Sequence, residues 1–258
     1  MYTKNATFTL TSGKSEISGT KSDVVVLFAD IRNFSNWCNF GPSLDQIGDV
    51  IKTQYNGVIQ ISKDQRSCFH KLLGDGFLLL WEADHEIDLP QCLKRAIGAA
   101  FEIHKNFWYF VRDLPYKAPL GYGIGISMGS AIRIQPETFL NEMNEVDFLG
   151  YPLNCAARMQ SLSGPFGVTA CSSTAALIAG TPGEFLYPKL PGSRVALHPP
   201  SFAALEKARV TNGLLPRDLT DFRHLTWPDS QLELWNTDGI LRDQEMPQAE
   251  HVKFLISA

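Results

Sequence analysis

Apolar residues follow the spacing of buried strands in three parts of the chain. Residues 24–29 form a continuous, β-branched apolar run, which predicts a strand buried on both faces. Residues 68–81 contain two apolar runs on either side of the turn at residues 74–76, which predicts a β-hairpin with Asp75 at its tip. Residues 121–127 alternate small and apolar side chains, as a central strand does.

Three other segments carry apolar residues at helical spacing. A helix with a serine cap is predicted over residues 43–59, and a second helix over residues 89–111. A third begins near Pro152, because proline suits the first turn of a helix. This third helix places Asn154 and Arg158 on one face, since they are four residues apart.

Short elements complete the predicted domain. Residues 166–171 have the pattern of a strand, Ser172 is predicted to cap a short helix, and residues 231–235 are predicted to form a last strand. Residues 135–146 are polar and acidic, which predicts a loop.

The two ends of the chain are less regular than its centre. Residues 1–22 are polar, which predicts a loose lead-in with one edge strand at residues 7–10. Residues 183–216 are rich in proline and are predicted to form a loop-rich insertion. No internal repeat or linker divides the chain. We therefore predict one domain over residues 23–240 and a tail at residues 241–258.

Composition excludes several classes of protein. A hydrophobic content of 44% and a charged content of 19% are ordinary for a soluble globular domain. A net charge of −4 argues against a broad nucleic-acid surface, and no apolar run predicts a signal peptide or a membrane span. The five scattered cysteines lack a paired metal spacing, which favours buried thiols in a reducing cytoplasm (Cys38, Cys68, Cys92, Cys155 and Cys171).

Three glycines near the predicted central strand resemble a dinucleotide-binding loop in their lettering. Gly123, Gly125 and Gly129 are not followed directly by a capped helix, which such a loop requires. We predict instead that these glycines allow another backbone to pack closely on the strand.

Two acidic residues stand at ends of predicted strands. Asp30 follows the buried run, and Asp75 lies at the tip of the hairpin, where a carboxylate is well placed to hold a metal ion. Each residue also has a structural interpretation, since Asp75 suits a turn for backbone reasons and Asp30 suits a helix cap.

Four motifs in order resemble the catalytic domain of class III nucleotidyl cyclases. They lie at residues 28–35, 71–76, 123–127 and 154–158. The resemblance covers roughly residues 23–180, with a diffuse continuation to the predicted last strand. It implies an α+β fold with a ferredoxin-like βαββαβ core, in which helices pack on an antiparallel central sheet.

The resemblance also implies a two-metal cyclase chemistry. Asp30 and Asp75 are expected to bind two Mg²⁺ or Mn²⁺ ions, with the carbonyl of Ile31 as a third ligand. Asn154 is expected to orient the ribose, and Arg158 to meet charge that develops on the α-phosphoryl oxygens. These groups would convert a nucleoside triphosphate to a cyclic nucleotide by intramolecular phosphoryl transfer.

Further contacts and a partner follow from the same resemblance. The backbone N–H groups of Phe34 and Ser35 are expected to hold the β- and γ-phosphates. In this family the metal aspartates face an Asn/Arg helix from the other subunit, so a chain with all four residues implies a symmetric homodimer with composite sites. Arg217 and Arg223 are both candidates for a further triphosphate contact.

The residues expected to select the base give a mixed answer. Lys71 and Asp147 occupy positions that resemble the adenine-selecting pair of adenylate cyclases. A lysine donor and an aspartate acceptor match adenine N1 and N6, but they also match the corresponding edges of cytosine and uracil. The pair therefore rejects GTP more clearly than it separates ATP from pyrimidine nucleotides.

Departures from the usual family pattern favour a pyrimidine. Tyr151 replaces an acidic residue after Gly150, and Asn33 stands where glycine is common. Phe69 and Phe148 lie near the expected base pocket, where bulky rings would fill space that the second ring of a purine needs, and each ring equally suits an ordinary core position. The chain resembles the stand-alone pyrimidine cyclases of bacterial anti-phage defence. We expect UTP ahead of CTP, and a cyclic product that signals to a separate effector protein.

Three alternatives remain at this point. The chain resembles an ordinary bacterial adenylate cyclase if Lys71 and Asp147 are taken at face value. A non-catalytic nucleotide-binding domain would be expected to have lost a metal aspartate or Arg158, and all are present. A diguanylate synthase is disfavoured because residues 73–77 only faintly resemble its acidic signature.

Overall fold

The computed structural model describes residues 7–12, 15–116, 118–136, 146–181, 196–200 and 202–226. In these ranges nine strands join in one sheet: β1 (Thr7–Ser12), β2 (Ser15–Ile31), β3 (Phe69–Leu73), β4 (Gly76–Glu82), β5 (Tyr122–Pro136), β6 (Asp147–Leu149), β7 (Gly167–Ala170), β8 (Ala196–His198) and β9 (Arg223–Thr226). The helices are α1 (Phe34–Phe40), α2 (Leu44–Asp64), α3 (Leu89–Arg112), α4 (Tyr151–Leu162), α5 (Ser172–Gly180), α6 (Phe202–Arg209) and α7 (Pro216–Thr220).

The centre of the sheet has the βαββαβ arrangement that the sequence predicts. Its strands lie in the order β3-β4-β2-β5, all antiparallel, and the order continues through β7 and β9 to β8. One pair corrects the expectation of a purely antiparallel sheet, because β5 and β7 are parallel. The chain crosses from β5 over α4 before it returns as β7, and such a crossover is what a parallel pair requires.

Helices cover both faces of the central strands. The residues at 24–27 on β2 are fully buried, as a continuous β-branched run predicts. Val25 and Leu27 pack in one core with α2 and α3, whereas Val24 and Val26 pack in a second core that includes Ala156 of α4. Because successive side chains of a strand point to opposite faces of the sheet, alternate residues of this run belong to different cores.

Side chains cap the starts of two long helices, and the sequence predicts the first of these caps. Ser43 forms a capping box at α2, in which the Ser43 hydroxyl accepts from the backbone N–H of Gln46 and the Gln46 side chain accepts from the N–H of Ser43. At α3 a carboxylate oxygen of Asp88 accepts from the N–H of Gln91 at 2.9 Å. No helix in the described ranges has the length and apolarity that crossing a membrane requires.

The first strands differ from the predicted loose lead-in. The edge strand at residues 7–10 is confirmed as part of β1. However, β2 begins at Ser15, so residues 15–22 continue the central strand and pair with β1 and β5. Backbone pairing on both sides satisfies these polar residues, which carry no apolar pattern that sequence analysis detects.

Two more predictions in the second half of the chain need correction. Ser172 is the first residue of α5 and not its cap; Cys171 holds the cap position without a side-chain hydrogen bond. Residues 183–216 are not uniformly loop, since their described part contains β8 and α6. The predicted strand at residues 231–235, the tail at residues 241–258 and most of the predicted acidic loop lie outside the described residues.

Candidate active site

The fold brings Asp30 and Asp75 together at one end of the sheet. Asp30 pairs with Gly76 across β2 and β4, and Asp75 directly precedes Gly76 at the hairpin tip. A Cβ atom on Gly76 would lie 2.8 Å from the carbonyl oxygen of Ala29 and 3.1 Å from Oδ1 of Asp30. Glycine therefore lets the hairpin tip approach the end of β2 closely enough for the two carboxyl groups to meet.

The electrostatics of this pair suit a cation. Burial raises the pKa of Asp75, and the charge of the neighbouring Asp30 raises it further. Two adjacent carboxylates repel each other when both are ionised, and either a shared proton or a bound cation removes this repulsion. Carboxylate oxygens are the ligands that Mg²⁺ and Mn²⁺ prefer. The donor set at this point therefore fits a hard divalent ion.

Neighbouring side chains hold the hairpin tip in place. The hydroxyl of Tyr55 on α2 donates to the carbonyl of Gly74. Burial raises the pKa of Tyr55, and the charge of Asp75 adds to this effect. Burial also raises the pKa of the Cys38 thiol, again with a contribution from Asp75. The negative charge of Asp75 thus acts on the side chains of both Tyr55 and Cys38.

A link that the sequence analysis missed connects Asp30 to α4. Nε2 of Gln160 donates to Oδ2 of Asp30 at 3.2 Å. The guanidinium of Arg32 donates to the backbone carbonyl of Gln160, and it lies on Gly123 so closely that a Cβ atom there would come within 2.1 Å of Nη2. The only signal in the sequence is the position of Gln160, two residues after Arg158.

Gly125 of β5 has the packing role that the sequence predicts, whereas Gly123 and Gly129 face side chains. A Cβ atom on Gly125 would lie 2.1 Å from the carbonyl oxygen of Ala156 and 2.2 Å from the backbone nitrogen of Gln160. The backbone of α4 therefore rests directly on β5. Any larger residue at Gly125 would push the whole helix away from the sheet.

Asn154 and Arg158 lie on the exposed face of α4. Among the described residues, no hydrogen bond or ion pair joins either side chain to Asp30 or Asp75. One chain thus brings together the two predicted metal ligands and, separately, presents the two predicted catalytic residues to its surroundings.

Lys71 and Asp147, the two residues that the resemblance assigns to base selection, form an ion pair. Nζ of Lys71 lies 3.0 Å from Oδ2 of Asp147, and their side chains are 48% and 47% exposed. Beside them the rings of Phe69 and Phe148 pack edge to face with centroids 5.4 Å apart. Phe148 is also buried in the core beneath the pair. A half-exposed ion pair next to an aromatic wall can contact a flat, polar-edged ligand.

The segment after β2 has the geometry of a tight entry into a helix. Asn33 adopts a φ of 60°, a left-handed conformation that asparagine tolerates better than most residues. This conformation accounts for Asn33 at a position where the cyclase pattern commonly has glycine. Phe34 then begins α1 and packs on Trp37, while Ser35 is exposed.

A second polar cluster lies behind α4. The ligand-type atoms of Cys155, Cys171 and Asp218 all lie within 4.8 Å of one another, and all three residues are buried. Both oxygens of Asp218 already accept hydrogen bonds, one from the Tyr151 hydroxyl at 2.6 Å and the other from the backbone N–H and the hydroxyl of Ser172 at 2.8 and 2.6 Å. The cluster is therefore a closed hydrogen-bond network that fastens α4, α5 and α7 together.

Comparisons with known proteins identify the fold. No protein-family model matches the sequence, and no curated protein matches it. Among solved structures, the adenylyl cyclase CyaB from P. aeruginosa aligns with a TM-score of 0.62 at 14% identity, covering 81% of this chain and 95% of that one. The non-canonical dimeric guanylyl cyclase domain of the RhoGC fusion protein from the fungus Blastocladiella emersonii aligns with a TM-score of 0.57 at 15% identity, covering 83% and 98%.

A third solved structure agrees with these two. The guanylate cyclase domain of RhGC from Catenaria anguillulae, in complex with GTP, aligns with a TM-score of 0.55 at 17% identity, covering 80% of this chain and 98% of that one. The expected class III cyclase fold is confirmed by these alignments, and the described sheet and helices carry it.

Proposed function

We propose that this protein is a nucleotidyl cyclase, which converts a nucleoside triphosphate into a 3′,5′-cyclic nucleotide and pyrophosphate. The observation that carries the proposal is the position of Asp30 next to Asp75 at one end of the sheet, on a fold shared with adenylyl and guanylyl cyclases. Two carboxylates held together at the cost of mutual repulsion are poorly explained by stability alone and well explained by a bound cation.

Asp30 and Asp75, with the carbonyl of Ile31, would hold two Mg²⁺ or Mn²⁺ ions at the end of β2. Bound there, the ions would neutralise phosphate charge and increase the acidity of the ribose 3′-hydroxyl. The backbone N–H groups of Phe34 and Ser35 lie where α1 begins and would hold the β- and γ-phosphates. These residues position the triphosphate for attack within the same molecule.

The other half of the site would come from a second copy of the chain. Asn154 would orient the ribose of the nucleotide held by the partner, and Arg158 would donate to the α-phosphoryl oxygens as charge develops there. The exposure of both side chains on α4, away from any bond to Asp30 or Asp75 in their own chain, supports this arrangement. A twofold homodimer would then contain two composite sites.

We further propose a pyrimidine substrate, UTP ahead of CTP. Lys71 and Asp147 are in contact at 3.0 Å, which supports their joint role at the edge of one base. Phe69 and Phe148 pack edge to face nearby, and if they border the base they would favour the smaller, single-ring base. The cyclic product would act as a signal in anti-phage defence, where a separate effector protein responds to it.

A product assay tests this proposal. The purified protein is incubated with ATP, GTP, CTP and UTP together in the presence of Mn²⁺, and products are identified by mass spectrometry. We expect cyclic UMP as the main product, with cyclic CMP next. Absence of every cyclic product and of released pyrophosphate, from folded and dimeric protein, would instead favour a domain that only binds nucleotides.

An adenylyl cyclase is the second candidate. The contact between Lys71 and Asp147 is the observation that favours it, since this donor and acceptor match adenine as well as a pyrimidine. Cyclic AMP as the main product would support this candidate. Under either proposal, Lys71→Ala is expected to change the ratio of products more than the total rate of pyrophosphate release.

A further inference from the structure

Gln160 stands between the two functional parts of each chain. Its side chain donates to Oδ2 of Asp30 at 3.2 Å, and its backbone carbonyl accepts from Arg32. It belongs to α4, the helix that carries Asn154 and Arg158, and it is buried where that helix meets the sheet. Gln160 thus contacts the predicted metal ligand Asp30 and belongs to the helix that carries Asn154 and Arg158.

The end of α4 is held by cations from other elements. The last turn of α4 contains no basic residue, and the Gln160 carbonyl there accepts from the backbone N–H of Ser163 at 2.9 Å. Arg32 supplies a donor to the carbonyl of Gln160, and Lys207 of α6 supplies one to the carbonyl of Ser161. Both cations also complement the negative end of the helix dipole. The end of α4 is therefore held in part by Arg32, two residues after Asp30.

We propose that Gln160 and Arg32 are positioning residues that hold the Asp30 carboxylate and α4 in one rigid unit. The inference rests on the proposed function and deepens it. In a twofold dimer, Asp30 would serve one composite site while Asn154 and Arg158 of the same chain serve the other. The bond from Gln160 to Asp30 therefore ties the metal half of one site to the catalytic half of the second.

Close packing around the hydrogen bond from Gln160 to Asp30 restricts the positions of both side chains. Gly123 leaves room for Arg32, and Gly125 leaves room for the backbone of α4 at Gln160. Outer partners that orient a metal ligand typically change metal affinity by about 10- to 100-fold when they are removed. Loss of the Gln160 amide is therefore expected to loosen Asp30 without removing any metal ligand.

Direct Mn²⁺ binding provides the first test. Gln160→Met removes the amide and keeps nearly the same shape, and Mn²⁺ binding is measured by electron paramagnetic resonance without nucleotide. We expect a loss of affinity of about 10- to 100-fold. Gln60→Met is the matched control, because Gln60 donates to Asp64 at 2.8 Å in a similar bond on the exposed surface of α2. This control is expected to bind Mn²⁺ as the wild-type protein does.

Mixed dimers provide the second test, because a purely structural role of Gln160 predicts the same loss whichever chain carries Gln160→Met. One chain carries Arg158→Ala and supplies Asp30, and the other carries Asp30→Ala and supplies Arg158. Gln160→Met on the first chain is expected to raise the Mn²⁺ concentration needed for half-maximal activity. On the second chain it adds no further loss, since its partner carboxylate is already absent. Equal losses in both arrangements would contradict the proposal.

Failure of this inference is distinguishable from failure of the proposed function. If the wild-type protein binds Mn²⁺ in a way that Asp75→Asn abolishes, and Gln160→Met binds Mn²⁺ with unchanged affinity, the positioning role is overturned and the proposed function stands. If the wild-type protein shows no binding that depends on Asp75, the metal site and the positioning role are both overturned.

Discussion

Asp75 and Asp218 are two carboxylates of one chain with opposite surroundings. Asp218 is 1% exposed, and it accepts three hydrogen bonds from Tyr151 and Ser172. Asp75 is more exposed, yet its pKa is raised by burial and by contact with Asp30. The protein supplies hydrogen-bond donors to both oxygens of the buried Asp218, whereas the more exposed Asp75 stays next to the like charge of Asp30.

The difference separates a structural role from a functional one. A buried carboxylate whose donors are all supplied by the protein needs nothing from solution. A pair of adjacent carboxylates gains most when a cation binds, because the ion removes their repulsion and satisfies their oxygens together. Substitutions at these positions should therefore act on different measurements: activity at Asp30 and Asp75, and folding at Asp218.

The largest expected effect is on catalysis. Asp30→Ala and Arg158→Ala are each expected to lower cyclase activity by about 10³-fold or more, because they remove a metal ligand and a donor to the developing charge. Pyrophosphate release measures the loss, and circular dichroism should show an unchanged fold. Activity within tenfold of wild type in either variant would contradict the assigned role of that residue.

The next effect should appear in folding. Asp218→Ala leaves the hydroxyl of Tyr151 and the donors of Ser172 without their acceptor, and we expect a loss of about 3 kcal/mol in the free energy of unfolding. Thermal unfolding should shift down by roughly 6–12 °C. A chelator such as EDTA should not reproduce this shift in the wild-type protein. If it did, the cluster around Asp218 would depend on a metal ion.

His104 extends the comparison to a buried group that stays neutral. It is fully buried on α3, and burial lowers its pKa from 6.5 to about 4. The unfolded chain therefore binds more protons than the folded one between these values, so stability is retained above about pH 6.5 and falls as the pH drops toward 4.

The expected loss at pH 4 is about 2–3 kcal/mol, and denaturant unfolding across this range measures it. His104→Leu should flatten that part of the pH profile. His85→Gln is a matched control, since His85 is exposed. An unchanged profile in His104→Leu would show that another group titrates.

The smallest effect should have the opposite sign. A raised pKa at Asp75 means that the folded state binds protons more tightly than the unfolded state does, so this group costs stability as the pH rises above its ordinary range. Asp75→Asn is therefore expected to stabilise the metal-free protein at pH 7, which a higher midpoint of thermal unfolding would show. Added Mn²⁺ should stabilise the wild-type protein and not this variant. Destabilisation of the metal-free variant would contradict the account of the pair.

Local patterns predicted much of the fold and of the site. The hairpin that carries Asp75 and the Ser43 cap of α2 depend on residues close in sequence, and the structure contains them as predicted. The contact between Lys71 and Asp147 joins distant residues, and only the resemblance to cyclases indicated it.

Other features depend on contacts that no local pattern encodes. The bond from Gln160 to Asp30 spans 130 residues. The N–H group of Ser172 at the start of α5 donates to Asp218, 46 residues further along the chain, and Ser172 is the first residue of this helix and not its cap. The early start of β2 depends on pairing with β1 and β5 and not on its own polar sequence.

Complementation between two inactive variants tests the central claim most directly, because it requires both the assigned residues and their origin in different chains. Asp30→Ala and Arg158→Ala proteins are unfolded, mixed in equal amounts and refolded, and heterodimers are verified by mass. Random pairing yields about half heterodimers with one intact site each, so the account predicts about a quarter of wild-type activity. Verified heterodimers that remain as inactive as the parent variants would contradict it.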